Sequence, residues 1–163
     1  RAFAHALPQL PAGSLLAILG SGRDEAALKT LARELNVAES VRFPGQIPEA
    51  WRHFKAFDVF ALSSDNEPFG MVLLEAMAAG VPLICSDCGG GREVVEDIGE
   101  LFPFGNVKML AQCLVKAASR KTPEDYPARA TQRLRQHFSD QAGREVFWQM
   151  ESVREFAGKD HAF

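Results

Sequence analysis

The 163-residue chain has little cysteine: three residues, Cys85, Cys88 and Cys113. An odd count without a framework excludes a disulfide-stapled fold and fits a reducing compartment. Cys85-Ser-Asp-Cys88 is a lone C-x-x-C, and a zinc site would need two further ligands. It reads as a buried strand cysteine followed by a loop cysteine. The four histidines, His5, His53, His137 and His161, are scattered without ligand spacing. No D-x-D metal signature occurs, and no repeat or low-complexity segment. The formal net charge of −3 gives no global attraction to nucleic acid. No apolar run reaches membrane-spanning length, and no signal peptide is visible. What remains is an ordinary globular balance, 47% hydrophobic and 24% charged, long enough for one domain with a full core. The chain opens at Arg1 without methionine, which suggests a fragment of a longer protein.

Short apolar runs alternate with helical periods. A helix tail over Arg1–Leu7 ends near Pro8 and Pro11. Ser14–Leu19 reads as a strand closed by Gly20-Ser21-Gly22. Ala27, Leu28, Leu31, Ala32 and Leu35 recur at helical spacing within Asp24–Asn36. Ser40–Phe43, Val59–Leu62, Val81–Cys85 and Gly99–Phe102 read as further strands. Pro48–Phe57, Phe69–Ala79, Arg92–Glu96, Asn106–Ala118, Pro123–His137 and Ser139–Phe156 read as helices, and Gly89-Gly90-Gly91 as a turn. Trp51, Phe54 and Phe57 read as core. Such β-α-β units predict an α/β fold with a Rossmann-like parallel sheet covered by helices on both faces.

The stretch SSDNEPFGMVLLEAMAAG, Ser63–Gly80, carries the chemistry. It lies beyond the carboxyl end of a strand, where ligands gather in such sheets. The amides of Phe69, Gly70, Met71 and Val72 would be unpaired donors at a helix start, aimed with the positive end of the helix dipole. Gly70 would admit a phosphate close to the backbone. Glu67 precedes this seat and Glu75 lies inside the helix among Leu73, Leu74, Ala76 and Met77. A half-buried carboxylate needs partners, and a ribose diol donates two hydrogen bonds to one. The pattern suits a nucleotide-diphosphate sugar, with the ribose at Glu75 and the hexose at Glu67. Singly, Glu67 also reads as a helix-dipole residue and Glu75 as a solvated position.

NEPFGMVLLEAMAAGVPLICSDCGG resembles the glutamate–seven residues–glutamate signature of retaining glycosyltransferases of family 4, which have the GT-B fold. LAILGSGRDEAALKTLARELNVAESVRFPGQIPE resembles the second strand, glycine turn and base-binding region of their C-terminal domain. FDVFALSS resembles the strand feeding the signature, and GGGREVVED the following G-G-x-x-E element, through Gly89, Gly90 and Glu93.

The resemblance implies metal-independent transfer with retention, and no cofactor beyond the sugar-nucleotide substrate. Glu67 would hold donor hydroxyls near the reacting carbon, the amides of Phe69, Gly70, Met71 and Val72 the diphosphate, and Glu75 the ribose. The backbone near Gln46 and Ile47 would recognise the base, with Glu49 and Arg52 close by, and Gly20 and Gly22 would line the nucleotide. Arg92 would touch phosphate or stand as a surface arginine.

The resemblance also implies a first, central strand missing ahead of Arg1, and an absent N-terminal domain that binds the acceptor. Residues 1–138 would be the truncated donor domain, 139–157 a helix crossing toward the absent domain, and 158–163 a frayed tail. Phe147, Trp148 and Met150 would pack either on that neighbour or on this domain's own sheet. Lys116, Arg120 and Lys121 would complement a helix end. The acceptor would be a lipopolysaccharide, glycolipid or polysaccharide, with no nucleic-acid partner. The protein would be cytoplasmic, with peripheral contact at the inner membrane face through the missing domain. Rival readings are another GT-B enzyme, such as a sugar-nucleotide epimerase, and a non-catalytic nucleotide-sugar-binding module.

Overall fold

The computed structural model describes residues 1–119 and 122–150, with the Trp148 side chain outside that description. Elements run in the order α1 (Ala2–Ala6), β1 (Leu16–Leu19), α2 (Glu25–Glu34), β2 (Val41–Gly45), a 3-10 helix (Ala50–Ala56), β3 (Phe60–Leu62), α3 (Met71–Ala78) and β4 (Leu83–Ser86). Then follow α4 (Gly91–Val95), β5 (Glu100–Phe102), α5 (Val107–Ser119), α6 (Tyr126–His137) and α7 (Asp140–Gln149). Among the described residues every strand pairing is parallel.

The parallel sheet expected from the sequence is present, in two parts. It consists of two ladders, β1-β2 and β3-β4-β5, with no ladder hydrogen bonds from β1 to β3. Helices bridge the ladders: Phe3 of α1 joins Ala32, Val37 and Val41 under β1-β2, while Ala2 and Ala6 pack on Ala111 of α5. The β1-β2 register slips between Ala17 and Leu19, where β2 carries one extra residue. The slip falls beside Pro44, which has no amide for a ladder.

β4 is buried along its whole length and its side chains alternate. Leu83 and Cys85 join the core formed with Leu73, Met77, Val94, Val95, Tyr126 and Ala130. Ile84 points to the other face, with Phe102 and Cys113. Helices therefore cover both faces of the β3-β4-β5 ladder, as the periodicity predicts.

Two helix ends explain their own sequences. After α2, Asn36 has φ 56°, its amide reaching the Arg33 carbonyl and that of Val37 the Ala32 carbonyl. After α3, Gly80 has φ 73°, with the same pair of bonds to Met77 and, from Val81, to Ala76. Both are Schellman closures, which need a residue tolerant of the left-handed region.

Other expectations shift. Pro48–Phe57 is a 3-10 helix beginning at Ala50, because Glu49 sits in the left-handed region at φ 51° and ends regular backbone before it. Phe54 is buried, and Phe57 packs on the same core. Trp51 is not core: it is 47% exposed, with the Arg52 guanidinium 4.7 Å from its ring centre. The helix expected over Ser139–Phe156 is α7 as far as Gln149 and ends there, Met150 being extended; positions 151–156, the 158–163 tail, His161, and Arg120 and Lys121 lie outside the described residues.

Candidate functional site

The site begins at the end of β3. The chain leaves Leu62, crosses Ser63–Phe69, and enters α3 at Met71. The helix thus starts two residues later than the apolar pattern suggests. Gly70 is its N-cap at φ 92°, a conformation that favours glycine, and Phe69 stands before the cap. A Cβ on Gly70 would also meet Leu73 Cδ1 at 2.9 Å.

Gly70 offers no capping side chain, so the first turn relies on its surroundings. The Leu73 amide reaches the Gly70 carbonyl at 2.9 Å. The amides of Phe69, Gly70, Met71 and Val72 have no acceptor among the described residues. Free helix-start donors with the dipole behind them form an anion seat.

Two carboxylates stand by this seat. Glu67 and Glu75 are both half-buried, and neither has a hydrogen-bond or ion-pair partner among the described residues. Glu75 occupies an otherwise apolar helix because Leu73, Ala76 and Met77 turn into the core while it faces outward. Glu67 Cγ lies 3.6 Å from where a Gly70 Cβ would stand and 3.8 Å from that of Gly91. The Glu67 side chain therefore rests between the starts of α3 and α4, over two glycines.

The β4–α4 connection moulds this loop. Ser86 Oγ donates to the Ser64 carbonyl at 2.6 Å, and the Gly90 amide donates to the Glu67 carbonyl at 2.7 Å. A Cβ on Gly89 would stand 2.2 Å from the Glu67 carbonyl oxygen, and one on Gly90 2.5 Å from that of Pro68. The glycine run is thus a contact surface, not merely a turn. Its neighbour Arg92 is exposed and grips both oxygens of Asp87, at 3.0 and 3.1 Å.

Burial sets the thiol chemistry below. Desolvation, reinforced by Cys88 and Glu67, pushes the Cys85 thiol up to about 11. Desolvation also raises Cys113 and lifts the Tyr126 phenol to about 12, its hydroxyl donating to the Val81 carbonyl at 3.0 Å. Cys85 and Cys113 are buried, Cys88 is partly exposed, and all three are free.

The remaining expected residues follow the ends of the other ladder. The Gly20 amide donates to the Gly45 carbonyl at 2.8 Å, and Gly20 and Gly22 face open space. Gln46 is exposed and Ile47 half-buried just beyond β2. Glu49 and Arg52 hold each other at 2.9 Å. No described contact sets these residues directly against Glu67 or Glu75. The 3-10 helix between them does pack on α3 through Phe54. Phe147 on α7 and Met150 just after it are both exposed.

Sequence reasoning missed Arg133 and Ser86. Arg133 is buried, pairs with Glu96, donates to the carbonyls of Glu93 and Val94, and lies 5.7 Å from the Phe138 ring centre. Phe138 in turn meets Phe69 edge-on at 6.1 Å. A cleft of about 700 Å³ opens beside them, lined by residues of α4, α6 and α7, and neither Glu67 nor Glu75 lines it. Among the described residues no group of three His, Cys, Asp or Glu side chains is placed to hold a metal ion. No described helix is long and apolar enough to cross a membrane.

Comparison with known proteins gives the family and the fold. The family model for glycosyl transferases group 1 matches residues 1–137. Over 105 residues the chain is 41% identical to a phosphatidyl-myo-inositol mannosyltransferase of Mycobacterium leprae, covering 61% of this chain and 27% of that one. It is 34% identical over 113 residues to the N-acetyl-alpha-D-glucosaminyl L-malate synthase of Bacillus anthracis, covering 68% of this chain and 29% of that one. Among solved structures, Anabaena Alr3699/HepE in complex with UDP and glucose aligns at TM-score 0.68 and 27% identity, over 81% of this chain and 40% of that one. The lipopolysaccharide outer core galactosyltransferase WaaB, in apo form, aligns at 0.71 and 26% identity, over 86% and 41%. The chain spans under a third of the two curated relatives' lengths.

Proposed function

From the premise that the chain belongs to the glycosyl transferases group 1, a family of GT-B sugar-transferring enzymes, we propose that it is the donor-binding part of a retaining, metal-independent glycosyltransferase. One observation carries the reading: Glu67 and Glu75, half-buried and without protein partners, flank a helix start whose amides are also unpaired. Half-exposed carboxylates without protein partners, beside unpaired donors, suit a ligand with hydroxyls on both sides of an anion. A nucleotide-diphosphate sugar has that chemistry, and the UDP-bound relative binds such a nucleotide.

In this reading the diphosphate rests on the amides of Phe69, Gly70, Met71 and Val72. Glu75 accepts from the ribose diol and Glu67 from the sugar hydroxyls. The backbone of Gln46 and Ile47 meets the base, with Glu49 and Arg52 beside it, and Gly20 and Gly22 leave room for the nucleotide. An acceptor hydroxyl bonds to the anomeric carbon as the bond from that carbon to the diphosphate oxygen breaks. The electron pair leaves with the diphosphate, and the hydroxyl proton passes to it on the same face. Preorganised amides stabilise the charge that develops on the leaving group, the role a cation plays elsewhere.

The acceptor is proposed to be a glycolipid or cell-envelope glycan, held by parts of the protein beyond this chain at the cytoplasmic face of a membrane. The test uses the full-length protein. A thermal-shift panel of UDP-, GDP- and ADP-sugars should single out one base. Glu67→Ala should then abolish transfer from that donor. Unchanged transfer would remove Glu67 from its role, and retained binding without any transfer in the parent would favour a binding module.

A further inference from the structure

Two side chains converge on one carbonyl of the loop that presents Glu67. The Ser64 carbonyl accepts from Ser86 Oγ at 2.6 Å and from Cys88 Sγ at 3.0 Å. A carbonyl oxygen has two lone pairs, so Ser64 is saturated. Ser86 and Cys88 also touch each other, Oγ to Sγ, at 3.3 Å.

Ser86 is fully buried, in the last position of a strand otherwise made of Leu83, Ile84 and Cys85. A hydroxyl there costs stability unless paired, and Ser64 is the carbonyl that pairs it. An aliphatic residue of similar size would serve the core at least as well. The hydroxyl's distinct effect is therefore on the loop. Three residues after Ser64 comes Glu67, whose own carbonyl is fixed by Gly90. With both carbonyls pinned, the backbone from which the Glu67 side chain springs is held on either side.

We propose that Ser86 and Cys88 are positioning residues for Glu67, acting through the Ser64 carbonyl. The assignment rests on the donor-binding reading above. It concerns the sugar end of the site, since the amides of Phe69, Gly70, Met71 and Val72 donate no hydrogen bond to either side chain.

The test measures release of nucleoside diphosphate by the full-length protein from UDP-glucose, UDP-N-acetylglucosamine, GDP-mannose and ADP-glucose, a reaction that needs no acceptor. Water bonds to the anomeric carbon as its bond to the diphosphate breaks, and the water's proton balances the departing anion. Ser86→Ala should lower kcat about tenfold while KM moves less than about threefold, since a small misplacement of a reacting group slows chemistry more than binding. Cys88→Ala should lower kcat about threefold, and Cys88→Ser, which restores a donor to Ser64, should return it close to the parent value. A purely structural role would shift the melting temperature and the active fraction, but not kcat per folded molecule.

If Glu67→Ala abolishes release while Ser86→Ala and Cys88→Ala keep the parent kcat, the positioning role is overturned and the donor reading stands. If Ser86→Ala does not fold, equal kcat in Cys88→Ala and Cys88→Ser overturns it alone. Parent-level release by Glu67→Ala, or none by the parent from any of the four donors, overturns both.

Discussion

Arg133 Nε donates to the carbonyl of Val94 at 2.9 Å, tying α6 to the last turn of α4. The same guanidinium reaches the Glu93 carbonyl and the Glu96 carboxylate, and faces the Phe138 ring. A short helix such as α4 cannot satisfy its own final carbonyls, and Arg133 does so from a neighbour. Arg133→Met should therefore lower unfolding free energy by about 3 kcal/mol, because it strands buried acceptors. Urea denaturation measures this, and a loss under 1 kcal/mol would show that water replaces the guanidinium.

The glycines separate into two kinds with different expected costs. Gly90 has ordinary helical dihedrals, yet a Cβ there overlaps the Pro68 carbonyl. Gly20 has φ 106° but open space around it. Gly90→Ala should cost about 1–3 kcal/mol through overpacking and should displace the Glu67 loop. Gly20→Ala should cost about 1–2 kcal/mol through backbone strain alone, leaving that loop in place. Paired melting curves test the two costs, and the donor-release rate per folded molecule should fall for Gly90→Ala.

How much of this was legible beforehand depends on the range of the interaction. Periodicities of two and 3.6 located the strands and helices, because burial on one face is written locally. Glu67, Glu75 and Gly70 were also legible, since a carboxylate in an apolar helix and a glycine at its mouth are local anomalies. The parallel sheet was legible from the β-α-β alternation, though which strands pair is not written locally. Trp51 looked like core by its apolar neighbours, but the left-handed residue Glu49 re-aims the segment. Ser86 and Arg133 drew no reading from the sequence. Each gains its role from a carbonyl at a separation of 22 or 39 residues, which no local pattern records. The glycine run was read as a turn for the same reason.

Glu75 has no protein partner among the described residues, so removing its charge should leave the fold intact. Glu75→Gln keeps the shape and removes the anionic acceptor. Titration calorimetry with UDP, GDP and ADP should show the affinity of the preferred diphosphate falling about ten- to hundredfold, the range for hydrogen bonds to a charged group. The melting temperature without nucleotide should stay within a few degrees of the parent. Unchanged affinity would mean that the ribose does not meet Glu75.

The alkaline limb of the stability curve should carry the signature of two buried acids. Cys85 is held neutral up to about 11, against 9.0 for a free thiol, and Tyr126 up to about 12, against 10.0. The folded state keeps these protons while the unfolded state releases them. Stability from Cys85 is thus fully present below pH 9 and declines as pH rises toward 11; that from Tyr126 declines between pH 10 and 12. Cys85→Ala should lower stability at neutral pH through the cavity it leaves, yet flatten the decline between pH 9 and 11. Tyr126→Phe should flatten the later part only. Urea midpoints measured from pH 7 to 11 in the parent and both variants check this, and parallel curves for parent and Cys85→Ala would mean that the thiol does not titrate on unfolding in that window.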